Sequence, residues 1–213
     1  MFPSPLYFVT DSRQDQRGLA SGGTPPCGTL LAGVTEAIAG GVRLIQYRDK
    51  DATRRAMYDA ALQIRRITQA CGATLIINDY IDLALAVEAD GVHLGQDDLP
   101  VWTARKILGN RAILGVSTHN VDEALAAQRQ GANYVGLGPI FATPTKPTAR
   151  PPLGVAAVAD VARQVTIPIY AIGGIHLADV AAIRSAGATG VAAISALSGD
   201  IRSNVAAWIR HLS

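Results

Sequence analysis

Short apolar segments and longer amphipathic segments alternate along the whole chain. The short segments are rich in aliphatic and β-branched residues, as in LYFVT at residues 6–10 and RLIQY at residues 43–47. Continuous apolar runs of this length are typical of strands that are buried on both faces of a parallel sheet. The pattern predicts eight strands, at residues 6–10, 43–47, 74–77, 91–94, 112–116, 134–137, 169–172 and 190–193.

The segments between these strands carry apolar residues at the spacing of one helix face. In residues 54–70, for example, Met57, Ala61, Leu62 and Ile64 fall near one side of a helix. Apolar residues three or four positions apart predict an amphipathic helix. Further helices are predicted at residues 82–87, 101–108, 121–129, 155–163, 178–185 and 205–212.

The strict alternation of strand and helix indicates the fold class. Eight β-then-α units predict an α/β protein, a single (β/α)8 TIM barrel in which the outer helices cover the whole sheet. The 213 residues are expected to form one domain, 1–213, near the lower end of the usual barrel size. An open doubly wound sheet is the structural alternative, and the lack of a GxGxxG motif after the first strand disfavours it.

One long segment, residues 12–28 (SRQDQRGLASGGTPPCG), shows neither pattern and is rich in Gly, Ser and Pro. We interpret it as a loop that follows the first strand. A lid that closes over a site and a surface loop without a role are both consistent with this composition.

Composition narrows the classes of function. The net charge of +2 is small, and the basic residues are too scattered to indicate nucleic-acid binding. Cys27 and Cys71 show no metal-ligand spacing and are expected to be reduced thiols. The chain shows neither the pattern of a signal peptide nor an apolar run of about 20 residues. We therefore expect a cytoplasmic protein with small-molecule substrates and no membrane partner, and a homo-oligomer is one option because barrels often pair.

Candidate chemistry lies where the predicted strands end, because barrel active sites form at the carboxyl-terminal ends of the strands. The second strand runs into Gln46, Tyr47, Arg48, Asp49 and Lys50. In an extended segment Gln46, Arg48 and Lys50 share one side, where an amide and two cations suit a polyanion. A solvated charge cluster is the alternative, and continuity with a buried strand favours binding.

Two carboxylates follow the third and fourth strands. Asp79 comes directly after Asn78, and Asp98 ends the sequence HLGQDD. Mg²⁺ binds few carboxylates and completes its octahedron with water and substrate phosphate oxygens, so this pair suits a Mg²⁺ site. Helix N-capping by the two aspartates explains the spacing equally well. His93, within the fourth strand, is expected in the core or behind the site.

The remaining strand ends supply hydroxyl groups and glycines. Ser117 ends the fifth strand segment, and GPIFATPTK at residues 138–146 follows the sixth. Two glycines at 173–174 follow the seventh strand, and residues 194–195 follow the eighth. Glycines let backbone N–H groups approach a phosphate, and barrels frequently bind phosphate at these last two loops. A plain turn would also use two glycines. If these loops do bind a phosphate, one cavity would contain two anion sites, one after the second strand and one after the seventh and eighth strands.

Together these motifs resemble the thiamine-phosphate synthase family over nearly the whole chain. The resemblance rests on QYRDK, IINDYIDLALAVEADGVHLGQDD, GVSTHN, YVGLGPIFATPTK, AIGGI and AIS, in this order. It implies a Mg²⁺-dependent transferase of thiamine biosynthesis. Such an enzyme couples 4-amino-5-hydroxymethyl-2-methylpyrimidine diphosphate to 4-methyl-5-hydroxyethylthiazole phosphate and releases diphosphate.

The resemblance also implies roles for individual residues. The catalytic residues would be Arg48, Lys50, Ser117 and Lys146. The pyrimidine diphosphate would be bound by Gln46, Tyr47, Arg48, Asp49, Lys50, Asn78, Ser117 and Lys146. The thiazole phosphate would be bound by Thr143, Pro144, Thr145, Gly174, Ile194 and Ser195. The metal ligands would be Asp79 and Asp98, directly or through water.

The expected chemistry requires no protein nucleophile. Departure of diphosphate leaves a methylene cation that the electron-rich aminopyrimidine stabilises, and the thiazole nitrogen then captures it. The cations and the metal at the diphosphate would neutralise the leaving group as its charge develops.

Two departures and three alternatives accompany this expectation. Asp49 stands where many relatives carry Glu, and residues 12–28 look longer than usual.

A thiazole tautomerase paralogue resembles the fold but usually lacks the metal carboxylates and the complete diphosphate-binding set. A phosphosugar isomerase needs a general base, for which His119 is the one candidate at a strand end. A precursor sensor without turnover would bind both ligands.

Overall fold

The chain folds into a closed barrel of eight parallel strands. The structure, a computed structural model, describes residues 4–11, 27–144, 151–197 and 199–212. Neighbouring strands pair in chain order, and the last strand closes the barrel against the first. The strands are β1 (Leu6–Val9), β2 (Leu44–Tyr47), β3 (Thr74–Asn78), β4 (Gly91–Leu94), β5 (Ile113–Thr118), β6 (Tyr134–Leu137), β7 (Ile169–Ile172) and β8 (Gly190–Ala193).

Helices follow the strands and cover the outside of the barrel. They are α1 (Cys27–Ala39), α2 (Arg54–Ala70), α3 (Ile81–Ala86), α4 (Val101–Leu108), α5 (Val121–Arg129), α6 (Gly154–Ala162), α7 (Val180–Ser185) and α8 (Ile201–Leu212). Short 3-10 turns at Leu177–Asp179 and Ser195–Leu197 precede α7 and follow β8. In the described ranges, no helix combines the length and apolar character that crossing a bilayer would require.

The predicted TIM barrel is confirmed, and the largest differences from the predicted helices fall at two places, whereas three other helices are shifted by one or two residues. Helix α1 was not predicted; it begins at Cys27, where the sequence analysis continued its loop to residue 28, and residues 12–26 lie outside the described part of the chain. Val34, Ala37 and Ile38 supply its buried stripe at helical spacing. Helix α8 begins earlier than predicted, because the Asp200 carboxylate accepts the N–H of Ser203 at 3.1 Å.

Alternate residues of each strand pack on opposite faces of the barrel wall. In β1, Leu6 and Phe8 belong to the apolar layer between strands and helices, whereas Tyr7 belongs to the barrel interior. There Tyr7, Tyr134 and Tyr170 pack edge to face, with ring centroids 5.4 to 5.8 Å apart. Each is at most 1% exposed, so the three rings close the interior beneath the strand ends.

Candidate active site

A cavity of about 380 Å³ lies at the carboxyl-terminal ends of the strands. Its volume is in the range of small-molecule sites, roughly 300–1,000 Å³. Eight residues that the sequence analysis assigned to the site line it: Gln46, Arg48, Asn78, Ser117, Thr143, Pro144, Gly174 and Ile194. Residues from both ends of the chain thus meet here, because strands β2 and β8 both flank β1 in the barrel.

The end of β1 holds Arg48 in place. The backbone N–H of Arg48 donates to the Thr10 hydroxyl at 2.9 Å, and that hydroxyl donates to the Arg48 carbonyl at 3.2 Å. The Arg48 guanidinium lies 3.5 Å from the Asp11 carboxylate, and the two side chains are 11% and 4% exposed. Asp11 could not be recognised as a site residue from the sequence, because its partner Arg48 lies 37 positions away, beyond the next strand.

The structure separates Tyr47 and Asp49 from the cavity. Tyr47 is 2% exposed and packs in the apolar layer outside the barrel. The Asp49 carboxylate accepts the backbone N–H groups of Asp51 and Ala52, both at 3.0 Å, and thereby shapes the turn before α2. The alternation of an extended segment explains this, since both residues point to the face opposite Gln46 and Arg48.

Lys50, Asp79 and Asp98 form an acidic cluster beside the cavity. The Lys50 ammonium pairs with the Asp79 carboxylate, and the Asp98 carboxyl lies near enough to Asp79 for the charge of Asp79 to act on it. Asp98 also accepts the N–H of Gly95 at 2.6 Å. Partial burial, and after it the Asp79 charge, raises the pKa of Asp98 above its ordinary value. Two carboxylates beside one ammonium group leave excess negative charge, which a bound cation would neutralise.

Neither aspartate is a helix cap. The N-cap positions of α3 and α4 are Tyr80 and Pro100, and neither makes a side-chain capping bond. Asp79 instead adopts a left-handed backbone with φ of 63°, and its N–H donates to the His93 carbonyl at 2.8 Å. Within the described ranges no group of three or more His, Cys, Asp or Glu side chains could hold a metal. A pair of carboxylates still fits Mg²⁺, which takes few protein ligands.

The opposite side of the cavity is built from backbone. Gly173 and Gly174 follow β7 with φ of 100° and 64°. A Cβ on Gly174 would lie 2.4 Å from the Ala142 carbonyl oxygen, so only glycine fits this close approach. The Gly173 carbonyl accepts the N–H of Phe141 at 2.9 Å, which joins the loops after β6 and β7. Thr145 and Lys146 lie outside the described residues, as does the side chain of Ser195.

Behind Ser117 lies a buried polar group that the sequence analysis placed only in part. His93 Nε2 lies 2.9 Å from the Ser117 hydroxyl, and His93 Nδ1 lies 3.0 Å from the Tyr134 hydroxyl. Gln96 donates from its amide to the Ser117 carbonyl at 2.5 Å. The expectation for His93, core or behind the site, agrees with this position, whereas Tyr134 and Gln96 were not identified.

Barrel and cavity together define a class of protein: a (β/α)8 barrel with a small-molecule site at the carboxyl-terminal ends of its strands. Residues 6–197 match the family model described as thiamine monophosphate synthase. The chain belongs to this family.

Individual relatives agree with the family model. The thiamine-phosphate synthase of Chloroflexus aurantiacus is 49% identical over 192 residues, which cover 90% of this chain and 84% of that protein. The thiamine-phosphate synthase of Roseiflexus castenholzii is 45% identical over 201 residues, with 93% and 84% covered. The solved structure of thiamine phosphate pyrophosphorylase from Pyrococcus furiosus is 32% identical with a TM-score of 0.82, and the match covers 97% of this chain and 94% of that one.

Proposed function

We propose that this protein is a transferase that condenses 4-amino-5-hydroxymethyl-2-methylpyrimidine diphosphate with 4-methyl-5-hydroxyethylthiazole phosphate, giving thiamine phosphate and diphosphate. One observation carries the proposal: the cavity is lined by Arg48 and by Asn78, which adjoins the acidic cluster, on one side and by Gly173 and Gly174 on the other. Membership of the family and the names of the relatives support the same reaction. The partners are these two small molecules, and we place the reaction in the cytoplasm.

The diphosphate belongs on the side of Arg48. A guanidinium that already has its direction set by Asp11 can offer two parallel N–H groups to phosphate oxygens. Lys50, Asn78 and Ser117 surround the same region, and Lys146 joins them by the resemblance. Gln46 lies deeper, 4% exposed, and is assigned to the pyrimidine ring.

Mg²⁺ belongs to the acidic cluster. Partial burial, and after it the charge of Asp79, raises the pKa of Asp98, and a divalent cation would offset both effects. Asp79 and Asp98 would hold Mg²⁺, which would supply positive charge near the diphosphate. The ordinary partner of Asp79 in this structure is Lys50, which would then be available to the diphosphate.

The reaction proceeds by exchange at one carbon. The bond between the pyrimidine methylene carbon and the diphosphate oxygen breaks, and its electron pair leaves with the diphosphate. Arg48, Lys50 and the Ser117 hydroxyl neutralise or hydrogen-bond the charge that develops on the leaving oxygens. The thiazole nitrogen then donates its lone pair to the methylene carbon. Because both substrates are held in one cavity, orientation contributes to the rate.

The thiazole phosphate belongs on the glycine side. Backbone N–H groups after β7 and β8 can approach a phosphate there without hindrance from side chains. Thr143 and Pro144 line the same side, and Thr145, Ile194 and Ser195 complete the set that the resemblance assigns. This arrangement puts the thiazole ring between its phosphate and the pyrimidine site.

A coupling assay tests the proposal. Purified protein is incubated with both substrates, with and without Mg²⁺, and thiamine phosphate is measured after oxidation to its fluorescent thiochrome form. We expect product that depends on Mg²⁺. Folded protein that binds the thiazole phosphate but forms no product would overturn the proposal and favour a tautomerase or a precursor sensor.

A further inference from the structure

The wall of the cavity holds a buried glutamine whose amide is bound at one end only. Gln46 lines the cavity and is 4% exposed, and its Nε2 donates to the Tyr7 hydroxyl at 2.7 Å. Among the residues that the structure describes, none donates to Gln46 Oε1, and no enclosed polar side-chain atom is without a partner. Oε1 is therefore open to the cavity rather than enclosed in the core.

Tyr7, to which this amide is bound, is fixed from several sides. Its ring packs edge to face against Tyr134 and Tyr170, with centroids 5.8 and 5.4 Å away. Its hydroxyl lies 2.7 Å from the Tyr134 hydroxyl, and Tyr7 is 1% exposed. Burial raises the pKa of Tyr7, so the hydroxyl keeps its hydrogen at neutral pH. Whichever of the two hydroxyl groups donates to the other, the Tyr7 oxygen that accepts from Gln46 has a fixed place.

The groups that remain free on the amide define what can bind to it. A carboxamide carries two hydrogens on its nitrogen and an oxygen that only accepts. One hydrogen of Gln46 is used at Tyr7, which leaves the oxygen and the second hydrogen for a ligand. A flat ring with a donor next to an acceptor satisfies both, as when glutamine binds the edge of adenine. A 4-aminopyrimidine has this pattern, since its amino group donates and the adjacent ring nitrogen accepts.

We propose that Tyr7 is a positioning residue of the pyrimidine site. Its hydroxyl holds the Gln46 carboxamide by the nitrogen, so that the amide oxygen and the second N–H pair with the amino group and the adjacent ring nitrogen of the substrate. The identity of that ring rests on the proposed function, whereas the bond between Tyr7 and Gln46 belongs to the protein without ligand.

A glutamine in this position gains from such support. Its long side chain turns about several bonds, and a free side chain would lose that freedom when a ligand binds. The bond to Tyr7 restricts Gln46 before any ligand arrives. A buried amide with one end unpaired also favours a ligand that pairs the other end.

Equilibrium binding of two probes separates the contribution of the ring from that of the phosphates. The probes are the pyrimidine diphosphate and inorganic diphosphate, each titrated with Mg²⁺ and without thiazole phosphate, so that no turnover occurs. We expect Tyr7→Phe to weaken binding of the pyrimidine diphosphate roughly tenfold, the value of about one hydrogen bond, and to leave binding of inorganic diphosphate unchanged. Equal weakening of both probes, or of neither, would overturn the positioning role.

Further variants separate positioning from a general loss of packing. Tyr170→Phe is the matched control, because it removes a hydroxyl from the same ring cluster, but one that donates to the Ser4 carbonyl at 2.5 Å. We expect this variant to keep the parent ratio of the two affinities. Gln46→Met has nearly the same shape and no amide, so adding Tyr7→Phe to it should change the ratio no further. A second tenfold loss in the double variant would show that Tyr7 does not act through Gln46.

The parent protein supplies a test that does not depend on the folding of a variant. In the diphosphate of the 4-oxo analogue the exocyclic oxygen accepts and the ring nitrogen donates, so the pattern is reversed. We expect this analogue to bind roughly tenfold more weakly than the aminopyrimidine, or weaker still. Equal binding, or a preference for the 4-oxo analogue, would mean that the Gln46 amide is turned the other way and would overturn the proposal. A protein that prefers the aminopyrimidine but forms no thiamine phosphate would instead contradict the proposed function and support this site.

Discussion

Lys50 and Asp79 form an ion pair that joins the ends of neighbouring strands β2 and β3. Asp98 lies against the same Asp79 carboxylate, so a single ammonium balances two acidic groups. A metal ion bound by the two carboxylates would replace Lys50 as the partner of Asp79. Metal binding and diphosphate binding should therefore assist each other, because the released Lys50 is a residue that we assign to the diphosphate.

Replacement of Asp79 should reduce metal affinity and turnover. Asparagine is the informative substitution, because it tolerates the left-handed backbone at this position, whereas alanine adds about 1–2 kcal/mol of strain. In Asp79→Asn, we expect the Mg²⁺ concentration that gives half-maximal formation of thiamine phosphate to rise by roughly tenfold or more. Asp79→Ala should be crippled as well. Turnover close to that of the parent protein, at the same Mg²⁺ midpoint, would rule out Asp79 as a ligand.

Asp98→Asn should stabilise the metal-free protein at neutral pH. The raised pKa means that the folded state binds more protons than the unfolded state over the interval between the two pKa values. Stability therefore falls as the pH rises through that interval, and the neutral amide avoids this loss. The advantage should disappear below about pH 4, where the unfolded carboxyl is protonated too.

Thermal unfolding with a chelator, at neutral and acidic pH, checks this prediction. The stabilisation that Mg²⁺ gives the parent protein should be absent from Asp98→Asn. A variant that is less stable than its parent at neutral pH, or that keeps the full Mg²⁺ effect, would contradict the assignment.

Asp11→Asn should weaken binding of the pyrimidine diphosphate. The Asp11 carboxylate is 4% exposed and directs the Arg48 guanidinium, so the neutral amide should leave that cation less well oriented. We expect the KM for the pyrimidine diphosphate to rise roughly tenfold, with a smaller change in kcat. Asp59→Asn, which breaks the exposed pair with Arg55, is the control and should change neither constant. An unchanged KM in Asp11→Asn would show that Asp11 does not orient Arg48 for binding of the pyrimidine diphosphate.

Gly174→Ala should damage both the fold and the thiazole phosphate site. The added Cβ would lie 2.4 Å from the Ala142 carbonyl oxygen, and the backbone would stay at φ of 64°. Gly72→Ala is a matched control, because Gly72 has φ of 63° and nothing within 4 Å of an added Cβ. Urea unfolding should show a loss of about 1–2 kcal/mol for the control and a larger one for Gly174→Ala. Equal losses of unfolding free energy in the two variants would show that the close approach of Gly174 to Ala142 does not contribute to the destabilisation.

The sequence predicts the barrel well because the relevant signal is local. Apolar runs and helical spacing within one segment locate strands such as Tyr134–Leu137 and helices such as Arg54–Ala70 with their observed bounds. The strand-end rule also brings Arg48 and Ser117 to one cavity, as expected. Their substrates, and the roles of Thr145 and Lys146, stay predictions.

The interior of the site is not local and could not be predicted in the same way. The hydroxyl groups of Tyr7 and Tyr134 meet across 127 positions of sequence, and Arg48 meets Asp11 across 37. Alternation places Tyr7 on one face of its strand, but the partner across the barrel depends on the stagger of all eight strands. Membership of a motif is also not sufficient to place a residue in the site. Gln46 and Arg48 line the cavity, whereas Tyr47 between them packs outside the barrel.

The three tyrosines that fill the barrel make its cavity a dead end. Tyr7, Tyr134 and Tyr170 occupy the cross-section below the strand ends, so nothing can pass through the barrel to its other mouth. Both substrates and both products must use the same opening. A molecule seated near Gln46 has to arrive before a co-substrate that binds closer to the opening, which makes the order of binding a matter of depth rather than of affinity.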